Sequence, residues 1–98
     1  MAVGLILEFS GVSKAEYDAV NEALGLDMYT KTGDLPDGLI THAAGSSDRG
    51  TFIVTEVWES KAHQEKFMQS RLGAALQKGG VTGQPTVTWI ELLAHQEF

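Results

Sequence analysis

The sequence lacks cysteine and has few basic residues. The absence of cysteine excludes disulfide bonds, thiolate metal ligands and a cysteine nucleophile. Seven Lys and Arg stand against thirteen Asp and Glu, a net charge of −6, and the seven are scattered, so we expect no nucleic-acid partner. The longest apolar run, residues 3–7, is short and contains Gly4, so we expect no membrane span and no secretory signal. These absences favour a cytoplasmic protein.

The remaining composition is that of an ordinary globular protein. Hydrophobic residues make up 43% of the 98 positions and charged residues 20%, values typical of folded domains. A chain of this length buries one core, so residues 1–98 are predicted to form a single domain.

The apolar periodicity and the capping residues predict four strands and two helices. Ser13 and Glu16 form a capping box before a helix that ends at Gly25, and Ser60 caps a second helix. The predicted elements are a strand at 2–9, a helix at 14–24, a loop at 26–38, a strand at 39–44, a turn at 45–50, a strand at 51–58, a helix from 60 to about 78, and a strand at 86–95.

The order βαββαβ predicts an α+β fold of the ferredoxin-like type. Two interleaved crossover units give a four-stranded antiparallel sheet with both helices on one face. Both faces of this sheet carry apolar side chains, for example Ile6 against Leu7 and Ile53 against Val54. We therefore predict a two-fold homodimer in which sheets pack face to face; the alternative is that the loop at 26–38 covers the second face.

Three segments resemble a known group of proteins. VWES at 57–60 leads from a strand into a helix containing RLGAAL at 71–76, and GLITHAAG at 38–45 precedes them. Together they resemble the dimeric α/β-barrel superfamily. Within it, the chain is similar to the antibiotic-biosynthesis-monooxygenase-like (ABM) domain, in the small uncharacterised form common in actinobacteria.

The resemblance implies an activity and a site. In the oxygenase members, a hydrophobic pocket between sheet and helices binds a phenol or hydroquinone, which is deprotonated and reacts with O₂ without metal or flavin. A Trp at the end of the third strand, matched here by Trp58, helps to hold the substrate. Those enzymes also use an Asn on the same strand, a Tyr near the second helix and an Arg. Here the only Asn is Asn21, in the first predicted helix, and residues 58–71 contain no Tyr.

Three residues on the second and third strands are candidates for chemistry. Trp58 either lines a pocket or fills the core between sheet and helices. Glu56 shares its face, as a general base or as a carboxylate in water at the strand end. If Gly45 pairs with Gly50, His42 lies opposite Ile53 and faces away from Trp58; a register shifted by one residue, or a bulge, reverses this.

His63 is the fourth candidate. It falls in the first turn of the second predicted helix, either at the pocket mouth in place of the missing Tyr or on the surface. The three His lack the spacing of a metal site, and we predict neither a metal nor a cofactor. The leading hypothesis is a cofactor-independent monooxygenase acting on a small aromatic or quinol. The alternatives are a non-enzymatic ligand-binding or dimerisation module, and haem binding or degradation through His63.

Overall fold

Four long strands form one antiparallel sheet in the computed structural model, which describes residues 2–96 and 98. The strand order is β4–β5–β1–β6, with the helices on one face, which confirms the predicted ferredoxin-like α+β fold. The elements are β1 Val3–Phe9, α1 Lys14–Leu24, β2 Leu26–Asp27, β3 Thr32–Gly33, β4 Leu39–Ser46, β5 Phe52–Trp58, α2 Lys61–Phe67, a π-helical turn Met68–Leu72, α3 Gly73–Lys78, and β6 Thr86–Glu91.

Helix α1 begins and ends where its capping residues predict. Ser13 Oγ accepts from the Ala15 amide, the Glu16 carboxylate accepts from the Ser13 amide, and Gly25 closes the helix with a left-handed φ of 74°. The buried side of this helix carries Val20, Leu24 and the polar Asn21. Its burial therefore brings an amide into an otherwise apolar layer.

The loop between α1 and β4 packs on the helix side of the sheet. It contains the short hairpin β2–β3, and its buried residues Leu26 and Pro36 line a cavity in the core. Arg71 in the π-helical turn holds the loop in place, since its guanidinium donates to the backbone oxygens of Leu24 at 2.9 Å and Asp34 at 2.7 Å. The alternative in which this loop covers the outer sheet face is therefore wrong.

The hairpin between β4 and β5 has a different register from the symmetric Gly45 to Gly50 turn. Strand β4 continues to Ser46, which pairs with Phe52, and the turn is closed by the Ser47 amide donating to the Thr51 oxygen at 2.8 Å. Ser47 Oγ also accepts from the Thr51 amide at 3.2 Å, so a hydroxyl defines the turn. His42 consequently lies opposite Glu56 and not opposite Ile53. The symmetric turn, which would send His42 to the outer face, is therefore not formed, and the shifted register places His42 on the inner face.

A bulge at the start of β4 turns Leu39 toward the inner face of the sheet. The register shifts between Leu39 and Thr41, so that Leu39 pairs with Trp58 although His42 pairs with Glu56. Leu39 and His42 thus both face the helices. None of the helices within residues 2–96 and 98 combines the length and apolar character that crossing a membrane requires.

The outer face of the sheet is left without cover from the described part of the chain. The register places Ile6, Ile53, Val57 and Ile90 on this face among threonines, and all four are half-buried or exposed, Ile90 by 40%. Only the inner face carries fully buried side chains, such as Leu5. The sheet thus separates a packed core from an apolar surface.

Helix α1 approaches the end of α3 closely at one glycine. A Cβ on Gly79 would lie 2.5 Å from Val20 Cγ2 and 2.9 Å from its amide nitrogen, so no larger residue fits without moving α1. The φ of −81° at Gly79 is open to any residue. Packing, and not backbone conformation, therefore requires glycine here.

We expect Gly79→Ala to lower the free energy of unfolding by about 1–3 kcal/mol, because the added methyl overpacks the contact with Val20. Urea unfolding monitored by circular dichroism measures the change. Gly83→Ala is the matched control, since its Cβ meets no described atom within 4 Å, and it should change stability by less than about 0.5 kcal/mol. Equal effects of the two substitutions would contradict the packing argument.

Candidate functional site

An apolar cavity of about 70 Å³ lies between the inner face of the sheet, helix α1 and the α1–β4 loop. Its walls are almost entirely aliphatic and aromatic. They come from β1, α1, the α1–β4 loop, β5 and the segment made of α2, the π-helical turn and α3. Examples are Leu7, Val20, Leu26, Val54 and Leu76. Such a lining suits a hydrophobic molecule.

Among the residues that the structure describes, four polar side chains reach this cavity. Tyr17 and Asn21 come from α1, His42 from β4 and Glu56 from β5. Tyr17 and Asn21 are four residues apart on the helix and therefore lie on the same face. The hairpin register places His42 beside Glu56. Two strands and one helix thus bring together four groups that are distant in the sequence.

Three of these groups and Trp58 form one chain of hydrogen bonds. The Tyr17 hydroxyl lies 2.6 Å from His42 Nε2, and His42 Nδ1 lies 2.8 Å from Glu56 Oε2. At the far end, Trp58 Nε1 donates to Glu56 Oε1 at 3.0 Å. The Tyr17 and His42 rings are nearly parallel, at 16°, with centroids 6.0 Å apart. The geometry joins a phenol, an imidazole and a carboxylate in sequence.

The chemistry of the partners gives this chain a direction. An ionised Glu56 carboxylate only accepts, so it takes the Trp58 N–H on one oxygen and the His42 Nδ1–H on the other. In the neutral imidazole the other ring nitrogen, Nε2, is then an acceptor, and it receives the Tyr17 hydroxyl proton. A lone pair of the Tyr17 oxygen remains available to a group in the cavity. The arrangement is that of a carboxylate orienting a histidine base.

Burial keeps Tyr17 protonated. Loss of solvent raises the pKa of the Tyr17 hydroxyl, an effect that the Asn21 side chain opposes and the charge of Glu56 reinforces. A phenol that holds its proton at neutral pH can both donate to His42 and accept from a bound molecule. Tyr17 is therefore suited to relay a proton and not to act as a permanent anion.

Glu56 does not lie in water at a strand end. Its side chain is 10% exposed and that of His42 15%, so both are enclosed by the core. Of the two alternatives that the sequence left for Glu56, the carboxylate in water at the strand end is therefore not found. His42 on β4 and Tyr17 on α1 cover Glu56 instead. The periodicity of β5 cannot predict these neighbours, because they come from other elements. The N–H groups of Trp58 and of the His42 imidazole offset the desolvation of Glu56.

Trp58 fills the core at the end of β5. Its side chain is completely buried, its ring centroid is 5.7 Å from that of Phe67, and it is not among the residues that line the cavity. Its connection to the cavity runs through Glu56, whose carboxylate it anchors. Direct contact of Trp58 with a substrate remains a prediction that this packing does not favour.

His63 lies apart from the other candidates. It is in the first turn of α2, where Nδ1 is 2.7 Å from Ser60 Oγ and the ring packs against Gly38. The side chain lines a separate open groove with Asp34 and Lys66, and not the apolar cavity. Within residues 2–96 and 98, no group of three or more His, Asp or Glu side chains could hold a metal ion.

Tyr17 and Asn21 are the site residues that sequence analysis missed. Tyr17 was not named as a candidate, and Asn21 was noted only because the resemblance places its Asn on a strand. The available signal was the face of the helix, since Tyr17, Val20, Asn21 and Leu24 follow helical spacing. A polar residue on such a stripe indicates either a buried partner or a ligand.

Three solved structures share the fold of this chain. Rv0793 from Mycobacterium tuberculosis is 17% identical, with a TM-score of 0.70 over 99% of this chain and 100% of that one. NE2512, a protein of unknown function from Nitrosomonas europaea, is 17% identical, with a TM-score of 0.67 over 98% and 93%. A candidate antibiotic biosynthesis monooxygenase from Chloroflexus aurantiacus is 15% identical, with a TM-score of 0.58 over 98% of each chain.

No protein-family model and no curated protein matches the sequence. At the identities of the three structures, the likeness establishes the fold alone, because one fold supports many functions. The expected activity therefore has to be argued from the cavity and its hydrogen-bonded chain.

The direction of the hydrogen bonds from Tyr17 to Glu56 predicts which tautomer His42 adopts. In the wild type near pH 8.5, where an ordinary imidazole is neutral, His42 should carry its proton on Nδ1. In Glu56→Gln the amide oxygen can still accept from Trp58, and its NH₂ group then donates to Nδ1, which moves the imidazole proton to Nε2. Nitrogen-15 NMR of labelled histidine distinguishes the two tautomers. His63, outside the cavity, is the internal control, and a His42 tautomer unchanged by the substitution would contradict the assignment.

Proposed function

We propose that the protein is a cofactor-independent monooxygenase of the ABM type, acting on a small phenol or hydroquinone. The observation that carries the proposal is the Tyr17, His42 and Glu56 chain ending at an apolar cavity. The Chloroflexus protein named as a candidate monooxygenase shares the fold and supports the proposal.

The first step is removal of the substrate's hydroxyl proton. The substrate O–H donates to the free lone pair of Tyr17, Tyr17 passes its own proton to His42 Nε2, and the imidazolium is stabilised by Glu56 at 2.8 Å. The electron pair stays on the substrate oxygen. Because the cavity is apolar, the resulting anion keeps few competing hydrogen bonds and stays electron-rich.

The second step is reaction of this anion with O₂. The anion transfers electrons to O₂, and one oxygen atom becomes bonded to the ring carbon. The O–H and ring C–H hydrogens leave with the other oxygen atom as water, so a phenol becomes a quinone. Atoms and electrons balance with O₂ as the only oxidant. The role of the protein residues is to supply the base, orient the substrate and exclude bulk water.

The space in the site favours a compact substrate that displaces the loop. A cavity of about 150 Å³ holds benzene, roughly twice the volume present here. An open groove of about 340 Å³ adjoins the cavity and shares Tyr17, Met28, His42 and Phe52 with it. Movement of Met28 would join the two spaces. A substrate of one or two fused rings could then reach Tyr17 from the surface.

Two other functions receive less support from the geometry. A non-enzymatic ligand-binding module would use the cavity without needing an oriented His42. Haem binding through His63 has no contact between that residue and the cavity to support it, and the cavity is far smaller than a porphyrin.

Tyr17→Phe should lower the rate of O₂ consumption with naphthoquinols or anthrones by about 10²-fold or more, because it removes the relay hydroxyl and leaves the ring in place. An oxygen electrode measures the rate, with the uncatalysed reaction subtracted. Ser70→Ala is the control, since the Ser70 hydroxyl donates to the Lys66 carbonyl oxygen at 2.6 Å and lines neither the cavity nor the adjoining groove. Ligand capture without turnover in the wild type would favour the non-enzymatic alternative, and equal rates in both variants would sink the relay.

We also propose that the active form is a homodimer joined through the outer sheet faces. The support is the row of Ile6, Ile53, Val57 and Ile90 on a face that no described segment covers. An apolar sheet face of this kind is uncommon on a monomer. A two-fold contact places the same face of each subunit against the other.

Light scattering should give a mass near twice the 10.6 kDa of one chain. Val57→Glu introduces a carboxylate at the centre of the outer face and should shift the mass toward that of the monomer. Ala23→Glu adds the same charge on the exposed side of α1 and should leave the mass unchanged. A wild-type mass of one chain would refute the dimer.

A further inference from the structure

The Asn21 side chain has a buried hydrogen-bond donor beside the cavity. The residue is 8% exposed and lines the apolar space, and its Nδ2 has no partner among residues 2–96 and 98. Nearly all buried polar atoms in folded proteins are hydrogen-bonded. An amide without an acceptor in an apolar cavity therefore marks the position of an acceptor supplied by a bound molecule.

The position of Asn21 relative to Tyr17 identifies that acceptor. The two residues are one helical turn apart on α1 and both line the same cavity. The amide lowers the pKa of Tyr17 as a nearby hydrogen-bond donor would, against the larger opposite effect of burial, although its geometry to the hydroxyl falls short of a hydrogen bond. The amide donor and the Tyr17 hydroxyl therefore border the same part of the cavity.

These two groups have complementary roles toward one oxygen atom. Tyr17 Oη can accept a proton from a hydroxyl, whereas Asn21 Nδ2 can only donate. A neutral phenol donates its hydroxyl proton to Tyr17 Oη, whereas a phenolate oxygen accepts from Asn21 Nδ2. The remaining lining is almost entirely apolar, so the charge of the phenolate has few other donors within reach.

We propose that Asn21 Nδ2 binds the phenolate oxygen of the substrate and stabilises its negative charge once the proton has passed through Tyr17 to His42. The O–H bond of the substrate breaks, its electron pair stays on the oxygen, and the Asn21 amide donates to that pair. This inference rests on the proposed function for the substrate class, a compact phenol. Preorganised donors aimed at developing charge are a general means of lowering reaction barriers.

The test uses 4-fluorophenol and fluorobenzene as a matched pair of small probes. They differ only in the hydroxyl, neither requires O₂ for binding, and the fluorine NMR shift of the phenol reports its ionisation. Affinities are measured by fluorine NMR titration with the wild type, Asn21→Leu and Asn21→Asp. Leu has the same branching and number of side-chain heavy atoms as Asn but no donor, and Asp presents only acceptors and a charge.

The wild type should bind 4-fluorophenol more tightly than fluorobenzene and lower the apparent pKa of the bound phenol. Asn21→Leu should weaken 4-fluorophenol binding by about tenfold or more and leave fluorobenzene binding within about twofold, because only one hydrogen bond is lost. Asn21→Asp should remove the shift toward phenolate. Fluorobenzene binding to each variant confirms that the cavity is intact.

Equal affinity of wild type and Asn21→Leu for 4-fluorophenol would overturn the inference, as would no binding of 4-fluorophenol to the wild type. The outcome is separable from that of the proposed function. Loss of phenol affinity in Asn21→Leu without any O₂ consumption by the wild type would sustain the inference and refute the monooxygenase. Full O₂ consumption by Asn21→Leu would sustain the monooxygenase and refute the role of Asn21.

Discussion

The buried carboxylate of Glu56 organises the inner face of the sheet. It accepts from Trp58 on one oxygen and from His42 on the other, at 3.0 and 2.8 Å, and thereby links the fully packed end of β5 to the edge strand β4. A carboxylate this enclosed is destabilising unless both oxygens are bonded. The two contacts therefore fix the side chain of Glu56, the tautomer of His42 and, through it, the donor direction of Tyr17.

Helix α1 contributes half of the polar groups, although its capping and periodicity are those of an ordinary core helix. Its close contact with α3 at Gly79 and the anchoring of the following loop by Arg71 hold Tyr17 and Asn21 against the sheet. Tyr17 is further enclosed by Phe52, at a centroid distance of 5.3 Å. The precision of the site thus depends on packing between elements distant in sequence, as is usual where side chains must be held in one geometry.

Local rules predicted the fold well and the site only in part. Capping at Ser13 and Ser60 gave the helix starts, and the strand order followed from handedness and connectivity. The register of the β4–β5 hairpin could not be predicted from local rules, because the hydroxyl of Ser47, and not a pair of glycines, sets the turn. A shift of register by one residue reverses the face of every residue on a strand, so the sequence left the face of His42 open. Tyr17 and Asn21 were missed because their partners lie on strands that only the tertiary fold brings near.

The polar groups of this core argue for function on energetic grounds. An apolar residue of similar volume in place of Asn21 would remove an unpaired donor, and a hydrophobic replacement of a buried charged group is often neutral or stabilising. The remaining cavity wall shows that the fold readily supplies such apolar residues. A sequence that retains a carboxylate, an imidazole, a phenol and an amide around one small space departs there from the most stable packing. Departures of this kind are expected where a site, and not the core, sets the choice of residue.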